Sequence, residues 1–293
     1  MKAIFTGTFL LISALLATAQ KPALEIYGNR GARGLMPENT IPGMIKALEE
    51  GATALKIEVV ITKDQKVIAS AEPFFNNEIS LNQDGEAITL KDEKKYNIYA
   101  MNYDEVKNFD VGSKPHPRFP YQEKFRVSKP LLSDIIDKVE TFVKKNKRVK
   151  PTYCIEVKII RNGDLVFNPE PKAFVDLVMN VIKQKKIEDR TIIYSFDLRP
   201  LQYVHQKYPA IKTALGVDEK NDFEILVEKL GFKPNIYSPY LPLVGKGLID
   251  KCHATGVQVV PWNVNTPKDL QYFKSLGVDG IITDYPDLVS KSK

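Results

Sequence analysis

Residues 23–61 read ALEIYGNRGARGLMPENTIPGMIKALEEGATALKIEVVI. An apolar run at Ala23–Asn29 is followed by an amphipathic stretch at Thr40–Glu50 and by a second apolar, β-branched run at Ala54–Ile61. Thr40 can cap the helix from its side chain, Pro42 suits its first turn, and Gly51 can end it. A strand, a helix and a second strand in this order form one β-α-β unit with parallel strands.

The alternation continues outward. Further strands are expected at Val67–Ala71, Tyr153–Ile159, Thr191–Phe196, Lys212–Val217, Asn235–Ser238, Val257–Asn263 and Gly280–Thr283. Helices are expected at Leu131–Lys145, Pro171–Lys185, Pro200–Lys207, Asp222–Leu230, Leu243–Thr255 and Pro267–Leu276. Gly256 and Gly277 each follow a helix and precede a strand, where a positive φ is wanted. One strand is supernumerary: Thr62–Lys66 is too short for a crossover helix, so Ala54–Ile61 and Val67–Ala71 are joined by a tight local turn. Residues 72–130 are long and irregular, as expected of an insertion over a site. The reading is a single-domain, distorted (β/α)8 barrel spanning residues 20–293, with an insertion after the third strand at about residues 72–130. An open nucleotide-binding sheet is disfavoured, because Gly28, Gly31 and Gly34 do not have the Gly-x-Gly-x-x-Gly spacing.

With 43% hydrophobic and 27% charged residues, the 293-residue chain is neither disordered nor a multi-span membrane protein in composition. Its formal charge of +6 is modest. The densest basic run, Lys144, Lys145, Lys147, Arg148 and Lys150, reads as a solvated helix end. It has no interleaved aromatics for base stacking, so nucleic acid is not expected as a partner. Two cysteines, Cys154 and Cys252, make no disulfide framework and read as separate buried thiols. Residues 1–19 combine Lys2, an apolar run from Phe9 to Leu16, and Ala17 and Ala19. That is a secretory signal with cleavage before Gln20, implying export to the periplasm or the medium. The run is too short for a transmembrane segment.

Barrel chemistry lies at the carboxyl ends of the strands. There the sequence places Asn29-Arg30-Gly31, Lys56-Ile57-Glu58, Ser70-Ala71-Glu72-Pro73, Glu156-Val157-Lys158 and Pro261-Trp262-Asn263. Residues two apart on a strand share a face. Lys56 and Glu58 therefore project together, as do Glu156 and Lys158, while Leu55, Ile57, Val59, Ile155 and Val157 take the other face. Charges on an otherwise apolar strand are costly to bury unless paired or functional. An anion-binding mouth is preferred here to a purely structural ion-pair layer.

These motifs carry a resemblance. The stretch NRGARGLMPENTIPGMIKALEEGATALKIEVVITKDQKVIASAEPFF, residues 29–75, resembles the amino-terminal signature of the glycerophosphodiester phosphodiesterase family. That signature runs His-Arg-Gly, Pro-Glu-Asn-Thr, Glu-x-Asp-Val, Thr-x-Asp and then His-Asp or His-Glu-Pro. CIEVK, IIYSFD, VVPWNVN and GVDGIITDYP extend the likeness in order. The resemblance implies a TIM barrel that hydrolyses glycerophosphodiesters to glycerol 3-phosphate and an alcohol, using a divalent cation and two histidines as acid and base.

This chain departs from the family at its chemical positions. Asn29 and Ala71 stand where the resemblance implies the two histidines, Lys56 where it implies a metal-binding glutamate, and Glu58 where it implies an aspartate. Neither Asn nor Ala can exchange a proton near neutral pH. His116, His205 and His253 are the remaining histidines. The latter two fall in helices outside the barrel, and His116, between two prolines, reads as a surface residue. The expected site therefore has no intact catalytic pair. Its phosphate or substrate ligands are Arg30, Lys158 and Trp262, and its residual metal ligands are Glu58 and Glu156, with Lys56 at the third position. Arg30, Lys56 and Lys158 against Glu58 and Glu156 leave one net positive charge. A lysine ammonium could take roughly the cation's place, so no cofactor is expected; Ca²⁺ or Mg²⁺ is what the resemblance implies for a site that still binds metal. The first functional reading is a catalytically impaired binder of a small phosphodiester or phosphomonoester. The second is an active phosphoric diester hydrolase with a rearranged set that uses Glu58, Glu156 and His116 or Glu72, although Glu72 by itself reads as a solvated loop residue. A third, a structural or partner-binding barrel, has no specific support.

Overall fold

The computed structural model describes residues 23–288, so the expected signal segment lies outside the described residues. Strands β1 (Glu25–Asn29), β2 (Ala54–Ile61), β3 (Val67–Ala69), β4 (Thr152–Val157), β5 (Thr191–Ser195), β6 (Lys212–Val217), β7 (Ile236–Pro239), β8 (Gln258–Val259) and β9 (Gly280–Thr283) form one sheet. The order β9-β1-β2-β4-β5-β6-β7-β8 is parallel throughout, while β3 pairs antiparallel with β2 off this path. Backbone bonds from Asp279 to Val259 (3.0 Å), Ile282 to Pro261 (2.9 Å) and Val264 to Ile282 (2.8 Å) close the seam between β8 and β9. The architecture is the expected distorted TIM barrel.

Among the described residues eight α-helices accompany the strands: α1 (Ile41–Glu49), α2 (Tyr103–Val106), α3 (Leu132–Lys145), α4 (Pro171–Lys185), α5 (Leu198–Lys207), α6 (Phe223–Leu230), α7 (Lys246–Ala254) and α8 (Pro267–Leu276). Local chemistry sets their ends. Thr40 accepts from the Gly43 amide at 3.2 Å to start α1, and Gly277 at φ 88° stops α8. Three strands end two or more residues short of expectation, β4 among them at Val157 rather than Ile159. β8 is only two residues long; beyond it Val260 N and Trp262 N still donate to Tyr237 O and Pro239 O on the β7 side, while Pro261 has no N–H to donate toward β9. β3 stops at Ala69; Ser70 N still donates to Glu58 O of β2, while on the other edge Ala69 N donates to Pro130 O and Lys129 Nζ donates to Ser70 Oγ at 2.7 Å.

The barrel wall separates two apolar layers. Leu55, Ile57, Val59, Ile155 and Val157 face outward into the core shared with the helices. Tyr27, Ala54, Cys154, Ile192 and Ile282 plug the interior. Residues 72–130 carry a small core of their own, with Phe75 stacked on Phe109 at 4.0 Å between centroids and Ile79, Ile88, Ile98 and Val106 around them. That core fastens the insertion against Val60 and Ile68 of β2 and β3. Among the described residues no helix is long and apolar enough to cross a membrane.

Candidate active site at the barrel mouth

Register places the charges. Along β2 the inward face runs Ala54, Lys56, Glu58; along β4 it runs Cys154, Glu156, with Lys158 just beyond the strand end. Glu58 pairs in register with Glu156 on the adjacent parallel strand, so two carboxylates stand side by side above the apolar plug. Lys56, two residues below Glu58, contacts both: Nζ lies 3.3 Å from Glu58 Oε1 and donates to Glu156 Oε2. Its ammonium also sits 4.8 Å from the centre of the Tyr194 ring. Lys158 Nζ takes the other oxygen, Glu156 Oε1, at 3.2 Å.

Arg30 follows β1 in a left-handed conformation, φ 52°, beside Gly31 at φ 86°. A Cβ on Gly31 would meet the Gly43 carbonyl at under 3 Å, so α1 packs closely against this turn. The turn aims the Arg30 guanidinium at the mouth, where Nη1 donates to Glu38 Oε1 at 2.7 Å and Nε lies 3.0 Å from Glu58 Oε2. Arg33 forms a bidentate pair with Asp284, at 2.9 and 3.1 Å, and lies against the Phe119 ring of the insertion. Asp284 also accepts from Asn29 Nδ2 at 2.8 Å and from Asn265 Nδ2 at 2.7 Å.

Burial opposes ionisation of Glu58, yet Arg30, Lys158 and Lys56 outweigh it and hold the carboxyl well below the usual range. The same balance, with Arg30 and Arg33 as the cations, keeps Glu38 low, and Arg33 does so for Asp284. For Lys158 burial is outweighed by Glu156 and Glu58, so its ammonium holds its proton more firmly than usual. Glu72 moves the other way, because burial pushes its carboxyl up more than Arg30 pulls it down.

A cavity of about 350 Å³ opens here. Its walls include Asn29, Arg30, Lys56, Glu58, Glu156, Lys158 and Trp262, so the structure brings together the candidate residues expected from the strand ends, Ala71 and Glu72 excepted. Ala71 is buried and does not line this cavity. Trp262 lies past β8, donates to Ser238 O at 3.1 Å and meets Phe196 edge-on at 5.6 Å.

Three expectations are corrected. His116 is buried rather than on the surface: its ring packs edge-on against Phe119 at 4.7 Å, Nδ1 accepts from the Arg118 amide, and Nε2 lies 3.9 Å from Glu38 Oε2. Glu72 is half-buried and accepts from Asn76 Nδ2 at 2.8 Å, so it is not a free loop carboxylate. The net positive charge disappears once Arg33, Glu38 and Asp284 are included, since Arg30, Arg33, Lys56 and Lys158 face Glu38, Glu58, Glu156 and Asp284. Those three residues lie in the quoted motifs, and nothing short of their contacts singles them out. His205 and His253 lie on outer helices as expected, stacked on Phe232 and paired with Asp279. Cys154 and Cys252 are free and buried, and burial pushes both thiols up to about 12.

The donor set does not fit a divalent ion as it stands. Glu58 and Glu156 already share the Lys56 ammonium, and among the described residues no group of three or more His, Cys, Asp or Glu is placed to hold a metal.

Fold and site together define a (β/α)8 barrel with a dense cluster of paired charges at its mouth. The chain belongs to the glycerophosphoryl diester phosphodiesterase family, whose family model matches residues 30–288. It is 27% identical over 271 residues to a glycerophosphodiester phosphodiesterase of Bacillus altitudinis, covering 91% of this chain and 97% of that one. A candidate glycerophosphoryl diester phosphodiesterase from Silicibacter pomeroyi DSS-3 superposes with a TM-score of 0.81 at 26% identity, over 92% and 94% of the two chains. A phosphodiesterase from Oleispira antarctica, solved with its product sn-glycerol 3-phosphate, matches with a TM-score of 0.72 at 17% identity, over 92% and 96%.

Proposed function

We propose that this chain is an exported phosphodiesterase-family barrel that binds a small phosphomonoester or phosphodiester at its mouth and turns phosphodiesters over slowly or not at all. One observation carries the reading. Where the resemblance implies an acid and a base, this chain has an amide, Asn29, committed to Asp284 at 2.8 Å, and a buried methyl, Ala71. Neither exchanges protons, and each missing proton-transfer group costs about 10²–10⁴-fold in rate.

Binding has separate support. Lys158 is the more exposed of the two cations proposed to meet phosphate, and Arg30 can offer a planar fork to it. Trp262 and Phe196 line the same cavity and suit the carbon portion of an ester. The Oleispira antarctica relative holds a phosphomonoester in the same fold. A rearranged active site is favoured by one observation only: the raised Glu72 carboxyl could hold a proton for a leaving group.

Turnover of glycerophosphocholine and of a chromogenic phosphodiester, with and without Ca²⁺ or Mg²⁺, tests the proposal. Rates barely above background are expected. Metal-dependent hydrolysis at ordinary enzymatic rates would sink it, and loss of that activity in Glu72→Gln would assign the work to Glu72.

A further inference from the structure

The structure points to Lys56 as a resident cation, from which we infer that the mouth of this barrel is assembled without a divalent metal. Glu58 and Glu156 sit side by side on adjacent parallel strands, and strands are spaced about 4.8 Å apart. Both are almost fully buried, so their two negative charges require a cation between them. Lys56 supplies it from within β2 and reaches both carboxylates.

Each of the four carboxylate oxygens then has a cation within 3.3 Å, three of them through a hydrogen bond and Glu58 Oε2 through an ion pair alone. Glu58 Oε1 faces Lys56 and Glu58 Oε2 faces Arg30 Nε; Glu156 Oε2 faces Lys56 and Glu156 Oε1 faces Lys158. A divalent ion approaching this pair would have to displace one of these groups and rest beside an ammonium. Nor can the ammonium swing out easily. Lys56 is only 4% exposed, the Tyr194 ring lies against its Nζ, and the apolar plug of Ala54 and Cys154 lies below. The cation is therefore delivered by folding and cannot be removed by a chelator. It also cannot acidify a bound water as a metal would. This inference rests on the phosphate-binding reading only for the ligand; the cation itself is tested apart from it.

Thermal melting with and without millimolar Ca²⁺ is the test, on the parent chain, Lys56→Met and Lys56→Arg. The parent and Lys56→Arg should ignore Ca²⁺. Lys56→Met should melt about 5–15 °C lower and recover part of the loss in Ca²⁺, which the two freed carboxylates can then bind. Equal stabilisation of parent and Lys56→Met by Ca²⁺ overturns the inference, as does a Lys56→Met that neither loses stability nor binds Ca²⁺. Should Lys56→Met not fold in either condition, calorimetry of the parent with glycerol 3-phosphate decides. Affinity equal within about twofold in EDTA and in Ca²⁺ supports a resident cation, and a tenfold gain in Ca²⁺ refutes it. Absence of glycerol 3-phosphate binding in both conditions would remove the phosphate-binding reading, while the parent's melting with and without Ca²⁺ would still decide the cation: insensitivity supports it and stabilisation refutes it.

Discussion

Arg30 donates from Nη1 to Glu38 at 2.7 Å, so the cation proposed to meet a phosphate is positioned by a carboxylate from the loop that leads into α1. Glu38 is buried and serves Arg33 as well, 3.7 Å away. Removing its charge weakens the hold on two guanidiniums, each of which keeps a second carboxylate, Glu58 for Arg30 and Asp284 for Arg33. The cost should therefore fall below the roughly 3–5 kcal/mol of a buried charge left unpaired. Glu38→Gln should lower the melting temperature and weaken glycerol 3-phosphate binding about tenfold. Arg30→Ala should abolish binding, and Arg30→Lys should not rescue it, because an ammonium lacks the planar fork. Calorimetry on the three variants checks this; wild-type affinity in Arg30→Ala would place the anion elsewhere.

Restoring the family's histidines should be unequal work. Asn29→His fits the local chemistry, since an imidazole N–H can replace the amide as donor to Asp284, which also keeps Arg33 and Asn265. Ala71→His is harder: the position is 1% exposed, and Lys129 is bound to the adjoining Ser70. Overpacking of this kind costs about 1–3 kcal/mol. Asn29→His alone should fold normally and remain nearly inactive, Ala71→His alone should be destabilised, and only the set Asn29→His, Lys56→Glu, Glu58→Asp and Ala71→His should return metal-dependent hydrolysis. Steady-state rates and melting curves on the four proteins test this order.

Much of the fold is legible because each element states its own limits. Ala54–Ile61, Lys212–Val217 and Gly280–Thr283 are β-branched or apolar runs with clear boundaries, and the structure keeps each of them unchanged. Pro171 and Pro267 start their helices where expected. The pairing of Lys56 with Glu58 and of Glu156 with Lys158 follows from the two-residue period of a strand. Contacts that cross the barrel are not legible in this way. Nothing local tells that Asp284 joins Asn29 and Arg33, about 250 residues earlier. His116 is misread for a related reason: its flanking prolines suggest an exposed turn, but the Phe119 ring and the Arg118 amide fold back over it.

His116 should make stability depend on pH below neutrality. Burial depresses its pKa below the ordinary 6.5, despite the attraction of Glu38, with Arg118 and Arg33 acting in the same direction as burial. Glu78 is the other facing carboxylate, and the Phe119 ring covers one side. A base held neutral by folding binds fewer protons in the folded chain than in the unfolded one. Its stabilising contribution is complete above the unfolded pKa and is lost as pH falls through 6.5 towards the folded value. Glu58, Glu38 and Asp284, all held low, add a second loss that begins nearer pH 4.5 or below. The His116 contribution should therefore lower the melting temperature between pH 7 and 5, against an opposite slope from Glu72, whose raised carboxyl binds its proton more readily in the fold. His116→Asn, whose side-chain oxygen can accept from the Arg118 amide, should flatten that segment and leave the steeper acid limb. An unchanged slope in the variant would assign the effect to other groups.

Trp262 offers a direct optical measure of ligand at the mouth. It is the one tryptophan of the chain, so all indole emission comes from this position. Its ring lines the same cavity as Arg30 and Lys158, and its indole N–H is fixed to Ser238 O at 3.1 Å. Phe196 at 5.6 Å and Tyr240 at 5.0 Å hold the ring on two sides, so a ligand changes its exposure to water rather than its orientation. Glycerol 3-phosphate entering beside it should displace water from the ring face and shift the emission to shorter wavelength. The titration should saturate with the dissociation constant found by calorimetry and should vanish in Arg30→Ala. Inorganic phosphate should compete without the shift, since it has no carbon portion to cover the indole. A glycerol 3-phosphate titration that gives a calorimetric signal but leaves the emission unmoved would place the ester away from Trp262, on another part of the cavity wall.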